Sequence, residues 1–287
     1  AFLKEHGDWM HGGNQNRWVM TFDDEIIGYC AFIPIKIAVN QEPVPAIWWM
    51  DMIIAPEFRG RGLQTHFDRK IQENDLLKVG FPNVFHSKIL RKHSWGVRED
   101  LNVFLAPLHP LKVGQVQKAQ GWHRSLYKIG ALLMSPIMGA YRLWLSKYRP
   151  QSARRIEQPS ATMLESVFLQ AQQGEFATTF RDAGYFEHRF LKAPYGDQLS
   201  YYLAGPKDAP THYLIARNFE RDGDPITRIL DIFGDFSDEI RIQDLIVYAL
   251  SDSAALGAVQ VTILSTSPRL SRLLRKSGFL FQSQTRF

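Results

Sequence analysis

Two arginines and two glycines within six residues, Arg59-Gly60-Arg61-Gly62-Leu63-Gln64, make the stretch of this sequence best suited to hold an anion. It follows Ala46 to Ile54, a run of large apolar residues broken by the single carboxylate of Asp51 and stopped by Pro56, which predicts a buried strand. It precedes a segment of helical periodicity, Leu63 to Leu77, with Phe67, Ile71 and the pair Leu76-Leu77 on one side. Glycines let backbone N–H groups approach a ligand closely, a helix N-terminus carries partial positive charge, and arginine adds forked donors. The expected guest is a phosphate or pyrophosphate, provided that the amides of the bend are not already bonded within the chain. Neither G-x-G-x-x-G nor G-x-x-x-x-G-K-[ST] occurs here, so the spacing is not that of a dinucleotide fold or a P-loop.

Two side chains near this stretch could move protons. Asp51, among Trp, Met and Ile, is a carboxylate in apolar surroundings, where desolvation raises the pKa and suits it to take a proton from an ammonium group. A structural Asp bonded to a neighbouring backbone or Arg has the same surroundings. Asp231, in the comparable strand of the second half, favours that structural role. His86, near the start of a helical segment, could serve as acid or base near neutral pH or simply as a solvated or capping residue. Trp48, Trp49 and Trp95 read as core. His and Cys never fall into metal-ligand spacing, and sequence order assembles no Ser-His-Asp set.

These groups must be positioned by ordered elements. Arg17 to Thr21 reads as a strand, Asp23-Asp24-Glu25 as a turn, Ile26 to Val39 as a long strand that Pro34 bends or interrupts, and Asn40 to Pro45 as a second turn. The second half reads strand (199–204), strand (212–216), strand (226–233), helix (240–256), strand (259–264) and helix (268–277), the order of the first half. Ser87-Lys88-Ile89-Leu90-Arg91-Lys92 recurs as Ser271-Arg272-Leu273-Leu274-Arg275-Lys276, 184 residues on, and Phe2-Leu3-Lys4 recurs as Phe190-Leu191-Lys192, 188 residues on. The agreement of offsets and element order predicts a tandem repeat. In the second copy the arginine-glycine turn is replaced by Gly234-Asp235-Phe236-Ser237-Asp238-Glu239, whose three carboxylates repel a pyrophosphate. That copy therefore walls the acceptor cleft or stabilises the first.

The chain has 287 residues, 45% of them hydrophobic, enough for two domains with real cores. One cysteine, Cys30, rules out a disulfide framework and suits a reducing, cytoplasmic setting. Net charge is +5, and between His86 and Glu157 there are 13 Lys and Arg against three Asp and Glu, so the surplus lies in the middle of the chain. There, Ser125 to Tyr148 reads as an apolar helix interrupted by Pro136. Only 13 uncharged residues separate Lys128 from Arg142, too few to span a bilayer. It reads as a helix buried between domains, or as one lying through 118–149 on an anionic membrane surface. No aromatic-basic RNA motif is present, so nucleic acid is not an expected partner.

The turn resembles the coenzyme A pyrophosphate loop of the GNAT superfamily of acyl-CoA N-acyltransferases, [QR]-x-x-G-x-[GA], with Arg59 and Gly62 in its first fixed positions and Gln64 where Gly or Ala is usual. A second GNAT pattern, N-x-x-A-x-x-x-Y-x-K-x-G-F, is met by Asn83, Lys92 and Trp95, with His86, Leu90 and Ser94 in place of its Ala, Tyr and Gly. The resemblance implies an α/β fold with a mixed sheet, as two tandem GNAT-like domains of which the first is N-terminally incomplete: 1–106 binding the acyl-CoA, 107–152 a basic, apolar linker helix region, and 153–287 a second domain without the pyrophosphate loop. It implies acetyl-CoA or another acyl-CoA as co-substrate, held by Arg59, Gly60, Arg61, Gly62, Leu63 and Gln64, by the main chain of Met52, Ile53 and Ile54, and by Asn83. Asp51 and His86 would be the catalytic groups. The acceptor would be an amine, of a small molecule or a polymer precursor such as an amino sugar or envelope precursor, in the cytoplasm or at the inner membrane surface. Leu90 stands where the family places the tyrosine that protonates the thiolate, which leaves open a GNAT-fold scaffold that has lost catalysis.

Overall fold

The structure, a computed structural model, describes residues 16–73, 75–80, 88, 90–91, 95–96, 101–112, 121–171 and 177–284. They form two compact units. One holds the described residues up to Val97 with those of Gln173–Pro194, and the other those of Arg98–Gln172 with those of Tyr195–Thr285. Both are built on mixed sheets, so the chain is of the α/β class expected.

In the first unit, strands β1 (Arg17–Phe22), β2 (Glu25–Val39) and β3 (Glu42–Ile54) form an antiparallel meander, and β4 (Leu77–Gly80) runs parallel to β3. The Asp23-Asp24 and Asn40-Gln41 turns have positive φ at all four residues, three of them Asp or Asn, the types that tolerate it. Pro34 does not interrupt β2. Strand β1 pairs with β2 up to Ala31, and β7 (Ala177–Thr179) pairs only from Ile37 on, so, among the described residues, 32–35 have a ladder to β3 alone, and a residue without an N–H is tolerated beside that edge. The helix α1 (Gln64–Gln72) is shorter than its periodicity predicts. Leu77 opens β4 opposite Ala46 instead, because a short apolar pair serves a parallel strand as well as a helix face. Phe67 and Ile71 of α1 pack on Cys30, Phe32, Ile47 and Trp49. Cys30 is fully buried and accepts a hydrogen bond from Trp49 Nε1 at 2.8 Å, which places its thiol in the core.

The second unit carries a seven-stranded sheet in the order β12-β5-β11-β10-β9-β8-β6. Its strands are β5 (Asn102–Pro107), β6 (Ala153–Ile156), β8 (Leu199–Ala204), β9 (His212–Arg221), β10 (Asp224–Gly234), β11 (Gln260–Ser265) and β12 (Leu280–Gln284). Among the described strands of this sheet only β10 and β11 are parallel neighbours. Strand β5, on the N-terminal side of the boundary expected at 106/107, is hydrogen-bonded between β11 and β12, while β7 and Lys192 belong to the first unit. The units thus interleave along the sequence.

Helices α2 (Gly121–Lys147), α3 (Ala161–Ala171), α5 (Glu239–Ala255) and α6 (Pro268–Lys276) complete the second unit, and the one-turn α4 (Ala183–Phe186) belongs to the first. Pro136 does not break α2. The carbonyl it deprives of a donor is that of Leu132, an exposed residue, and the neighbouring Ser135 hydroxyl bonds the Ala131 carbonyl at 2.8 Å.

At the end of β10, Gly234 has φ +150° and a Cβ there would lie 2.2 Å from the His212 ring. That ring is fixed on both nitrogens, by Thr211 Oγ1 at 2.8 Å and the Asp235 carbonyl at 3.0 Å, and cannot step aside. Gly234→Ala is expected to lower unfolding stability by about 2 kcal/mol, combining backbone and overpacking costs and measurable as a shift of the denaturant midpoint.

Candidate functional site

Strand β3 carries the first part of the site. Its side chains alternate, with Ile47 and Trp49 buried and Trp48 half-buried. The alternation breaks between Met50 and Ile53, where two residues, Asp51 and Met52, oppose Cys30 alone. Such a bulge bends the strand and re-aims its last side chains. Past the bulge, Met52 and Ile54 pack against the core, and Ile53 is exposed. Asp51 lies on the strand, and its side chain is outside the described residues. Ladder bonds between β3 and β4 run only from Ala46 to Trp49, so from Met50 to Ile54 the strand is paired to β2 alone among the described residues. A length of main chain is thereby left for another partner.

The chain then makes a 3₁₀ turn, Pro56–Phe58, and enters the bend. Gly60 and Gly62 sit at φ +76° and +74°, the left-handed region in which glycine is unstrained. Around them Arg59 Nε donates to the Ile54 carbonyl at 2.8 Å, tying the bend to the end of β3, and Arg61 donates to the Glu57 carbonyl at 3.1 Å while lying 5.1 Å from the centre of the Phe58 ring. Both guanidiniums are exposed and each has donors to spare.

No backbone N–H from Gly60 to Gln64 has an acceptor among the described residues, and Leu63, the N-cap of α1, offers no side-chain cap. The first internal bonds begin at Thr65, whose N–H reaches the Gly62 carbonyl at 3.0 Å, and His66, whose N–H reaches the Leu63 carbonyl at 3.1 Å. Gln64 Nε2 is buried without a partner beside these amides. No acidic residue occupies the first turn of α1, and Arg69 and Lys70 lie in its last, so the positive end of the helix is left uncompensated. A row of free donors, a helix dipole and two arginines is a site an anion would fill, and a diphosphate suits its length.

The bend of the second unit between β10 and α5, Gly234 to Glu239, offers a comparison. Its Ser237 N–H is bonded to Asp235 Oδ1 at 2.8 Å, its Asp238 N–H to the Asp235 carbonyl at 3.0 Å and its Glu239 N–H to the Ser237 carbonyl at 3.0 Å. Asp238 caps α5 through the Arg241 N–H at 3.1 Å, and Glu239 pairs with Arg272 and with Lys276 at 3.2 Å. Side-chain and main-chain bonds from Ser237 hold the Asp235 carboxyl below the usual range, so it stays ionised. This helix end is already capped by the protein's own carboxylates and has no room for an external anion. Asp231 likewise accepts a bond from the Tyr213 hydroxyl at 2.9 Å, a structural use of a carboxylate in a strand of this kind.

Asn83 and His86 lie outside the described residues. Leu90 is buried at 3% exposure in the core beside Ile71 and Trp49, and Trp95 lies 5.8 Å from Trp49, ring centre to ring centre. The chain fold also brings in a segment that β3's own sequence gives no sign of. Residues 177–191 are fixed to β2 by the β7 ladder and by the Lys36–Asp182 ion pair at 2.7 Å, and Arg189 lies 5.5 Å from the centre of the Trp48 ring. Its neighbour His188 is exposed, and desolvation of its ring and the Arg189 charge lower its pKa, favouring the neutral imidazole. Nothing in the local pattern around Trp48 could have announced residues some 140 positions away.

No family model matches the chain, and no curated protein matches it in sequence. Solved structures do match it. N-myristoyltransferase of Saccharomyces cerevisiae with bound myristoyl-CoA is 13% identical over 91% of this chain and 65% of that one, with a TM-score of 0.60. A GCN5-related N-acetyltransferase from Anabaena variabilis is 18% identical over 98% and 63%, with a TM-score of 0.63. The fold is that of the GNAT-type acyltransferases. A third protein of this fold, a probable N-acyltransferase from Enterococcus faecalis, matches at 9% identity over 93% and 59%, with a TM-score of 0.57. The chain spans less than two thirds of the length of each of these proteins. On this fold, the sequence-predicted loop from Arg59 to Gln64 and the length of β3 from Met52 to Ile54 that is paired only to β2 among the described residues are consecutive pieces of one chain path, joined by the Arg59–Ile54 bond.

Proposed function

We propose that the protein is an acyl-CoA N-acyltransferase built of two GNAT-like copies, of which the first binds the coenzyme. The observation that carries the reading is the contrast between the two helix ends: amides from Gly60 to Gln64 without an acceptor among the described residues, beside two arginines and no acid, against a turn already closed by its own carboxylates from Gly234 to Glu239. The fold neighbours support the same class of chemistry, one of them having been solved with myristoyl-CoA. In this reading the coenzyme's pyrophosphate rests on the Gly60–Gln64 amides, Arg59 and Arg61, with Asn83 as a further contact, and its pantetheine arm follows the main chain of Met52, Ile53 and Ile54. Asp51, directly or through water, takes a proton from the ammonium form of the acceptor, and His86 is the second candidate. The free amine attacks the thioester carbon, the C–N bond forms, the C–S bond breaks, and the proton shed by nitrogen ends on the departing thiolate. The products are an amide and the free thiol of coenzyme A. An amino sugar or envelope precursor is the acceptor class proposed.

The test is calorimetry with coenzyme A, then thiol release from acetyl-CoA against a panel of amines. Binding with amine-dependent thiol release supports the enzyme; no binding sinks it. With a working amine, Asp51→Asn is expected to lower kcat by about a hundredfold or more and to abolish the acid limb of its pH profile. An unchanged profile removes Asp51 from the mechanism.

A second reading, a GNAT-fold binding protein without turnover, is favoured by Leu90, which is packed into the core where the family resemblance calls for a phenol. Leu90→Tyr is expected to cost about 1–3 kcal/mol of stability by overpacking and to leave turnover unchanged, as thermal melts and thiol release would report.

A further inference from the structure

We propose that the outward face of α2 rests on an anionic lipid surface. The inward face is settled by the structure. Ala131, Met138 and Leu145, seven residues apart, are buried, and Leu145 belongs to the core of the second unit. Tyr141 donates to the Ser277 carbonyl at 2.8 Å, Ser251 donates to the Leu145 carbonyl at 2.8 Å, and Arg142 meets His109 at 3.2 Å. The helix is therefore held in one rotational setting. At 100° per residue, the side opposite that stripe should be the polar one in a helix that faces water.

It is the reverse. Leu132 and Leu133 are 62% and 71% exposed, Ile137 and Leu143 59% each, and Ile129 and Trp144 at least half. Together they cover the hemisphere away from the second unit's core over about 25 Å of helix, allowing 1.5 Å per residue. A contiguous apolar surface of that extent marks an interaction site. The helix does not cross a bilayer, since no described helix is long and apolar enough to do so.

Charge selects the occupant. From Gly121 to Pro150 there is no Asp or Glu, while Arg124, Lys128, Arg142, Lys147 and Arg149 are basic. Lys128, Lys147 and Arg149 are exposed, near the two ends of the apolar face. A second copy of the chain would set basic ends against basic ends, whereas a leaflet with anionic headgroups accepts apolar side chains in its plane and attracts each nearby cation. Trp144, exposed and held against the Tyr141 ring at 5.7 Å, is an amphipathic ring of the kind that favours the headgroup level.

The test is vesicle co-sedimentation of the full chain, with phosphatidylcholine vesicles set against phosphatidylcholine–phosphatidylglycerol vesicles. Binding is expected to be at least about tenfold stronger to the mixed vesicles and to weaken with salt. Leu133→Glu with Ile137→Glu should remove it, while Lys128→Glu with Lys147→Glu should remove only the preference for the anionic mixture. All four side chains are exposed, so unchanged melting curves are expected and certify the fold. A blue shift of Trp144 emission with vesicles, taken as the difference from Trp144→Phe, locates the contact on this helix. The proposal is overturned by equal affinity for the two vesicle types, by no binding to either, or by a dimer in sedimentation velocity that Leu133→Glu dissociates. Each of these readouts is independent of coenzyme binding.

Discussion

Gly62→Asp is expected to abolish coenzyme A binding, with affinity falling by about a hundredfold or more in calorimetry. Folding should lose little: a Cβ at Gly62 meets nothing closer than Thr65 Oγ1 at 3.9 Å, and Asp is among the residues that tolerate φ near +74° best. The effect is electrostatic. One negative charge about 5 Å from a diphosphate, at the effective dielectric of a protein surface, opposes each facing charge by roughly 3 kcal/mol, about two decades in the binding constant. Arg59→Glu should match it, since it removes a cation, adds an anion and releases the bond to the Ile54 carbonyl that ties the bend to β3. Gly62→Ala separates conformation from charge, with a loss of no more than about tenfold because only the left-handed backbone is penalised. Retention of full affinity in Gly62→Asp would put the diphosphate elsewhere and remove the basis of the proposed activity.

Asp244→Ala should produce the largest loss of stability in the second unit. This carboxylate, 5% exposed, accepts the N–H groups of Gln151, Ser152 and Ala153 at 3.2, 2.6 and 2.7 Å, the Ser152 hydroxyl at 2.9 Å and the Tyr148 hydroxyl. It thereby joins α5 to the chain that leaves α2 and enters β6. Truncation strands several buried donors together, at on the order of 4 kcal/mol, which is roughly 8–16 °C of melting temperature for a unit of this size. Burial alone would push the carboxyl upward, but the bonds from Tyr148, Ser152 and Ala153 outweigh it and hold the pKa below the ordinary value. A carboxyl depressed in the folded state stabilises above its unfolded pKa of about 3.9. That contribution disappears as pH falls through the lower folded value. The acid limb of the stability curve should therefore flatten in Asp244→Ala, and a denaturant midpoint that tracks wild type at pH 7 would contradict the role assigned here.

Much of the second unit was legible because its patterns are strong and local. The strand starting at Leu199, the helix α5 and the helix α6 lie within a residue of their expected limits, since a short aromatic and apolar run, an Asp or Ser cap and Pro268 mark them on the chain itself. The limits failed where a pattern was short or shared. Leu76-Leu77 suits a helix face or a strand, and only pairing to Ala46 decides for β4. Pro34 and Pro136 read as interruptions, yet one stands beside an edge unpaired among the described residues and the other frees only a carbonyl on an exposed face, facts of placement that residue type does not carry.

For the site, residue types and spacing determined that the bend after β3 would be a turn of two glycines able to hold an anion, because positive φ, forked cations and a helix start are properties of neighbours in sequence. Whether its amides were free was decided only by the folded backbone, which gives those from Gly60 to Gln64 no acceptor among the described residues and closes those from Ser237 to Glu239 in the bend after β10. Long-range pairing likewise decided that β5 completes the second sheet, that Arg189 lies over Trp48, and that the apolar residues of α2 face outward. Each of these depends on which distant surface a segment meets, and a one-dimensional pattern of apolar and charged residues is silent on the direction from which its partner comes.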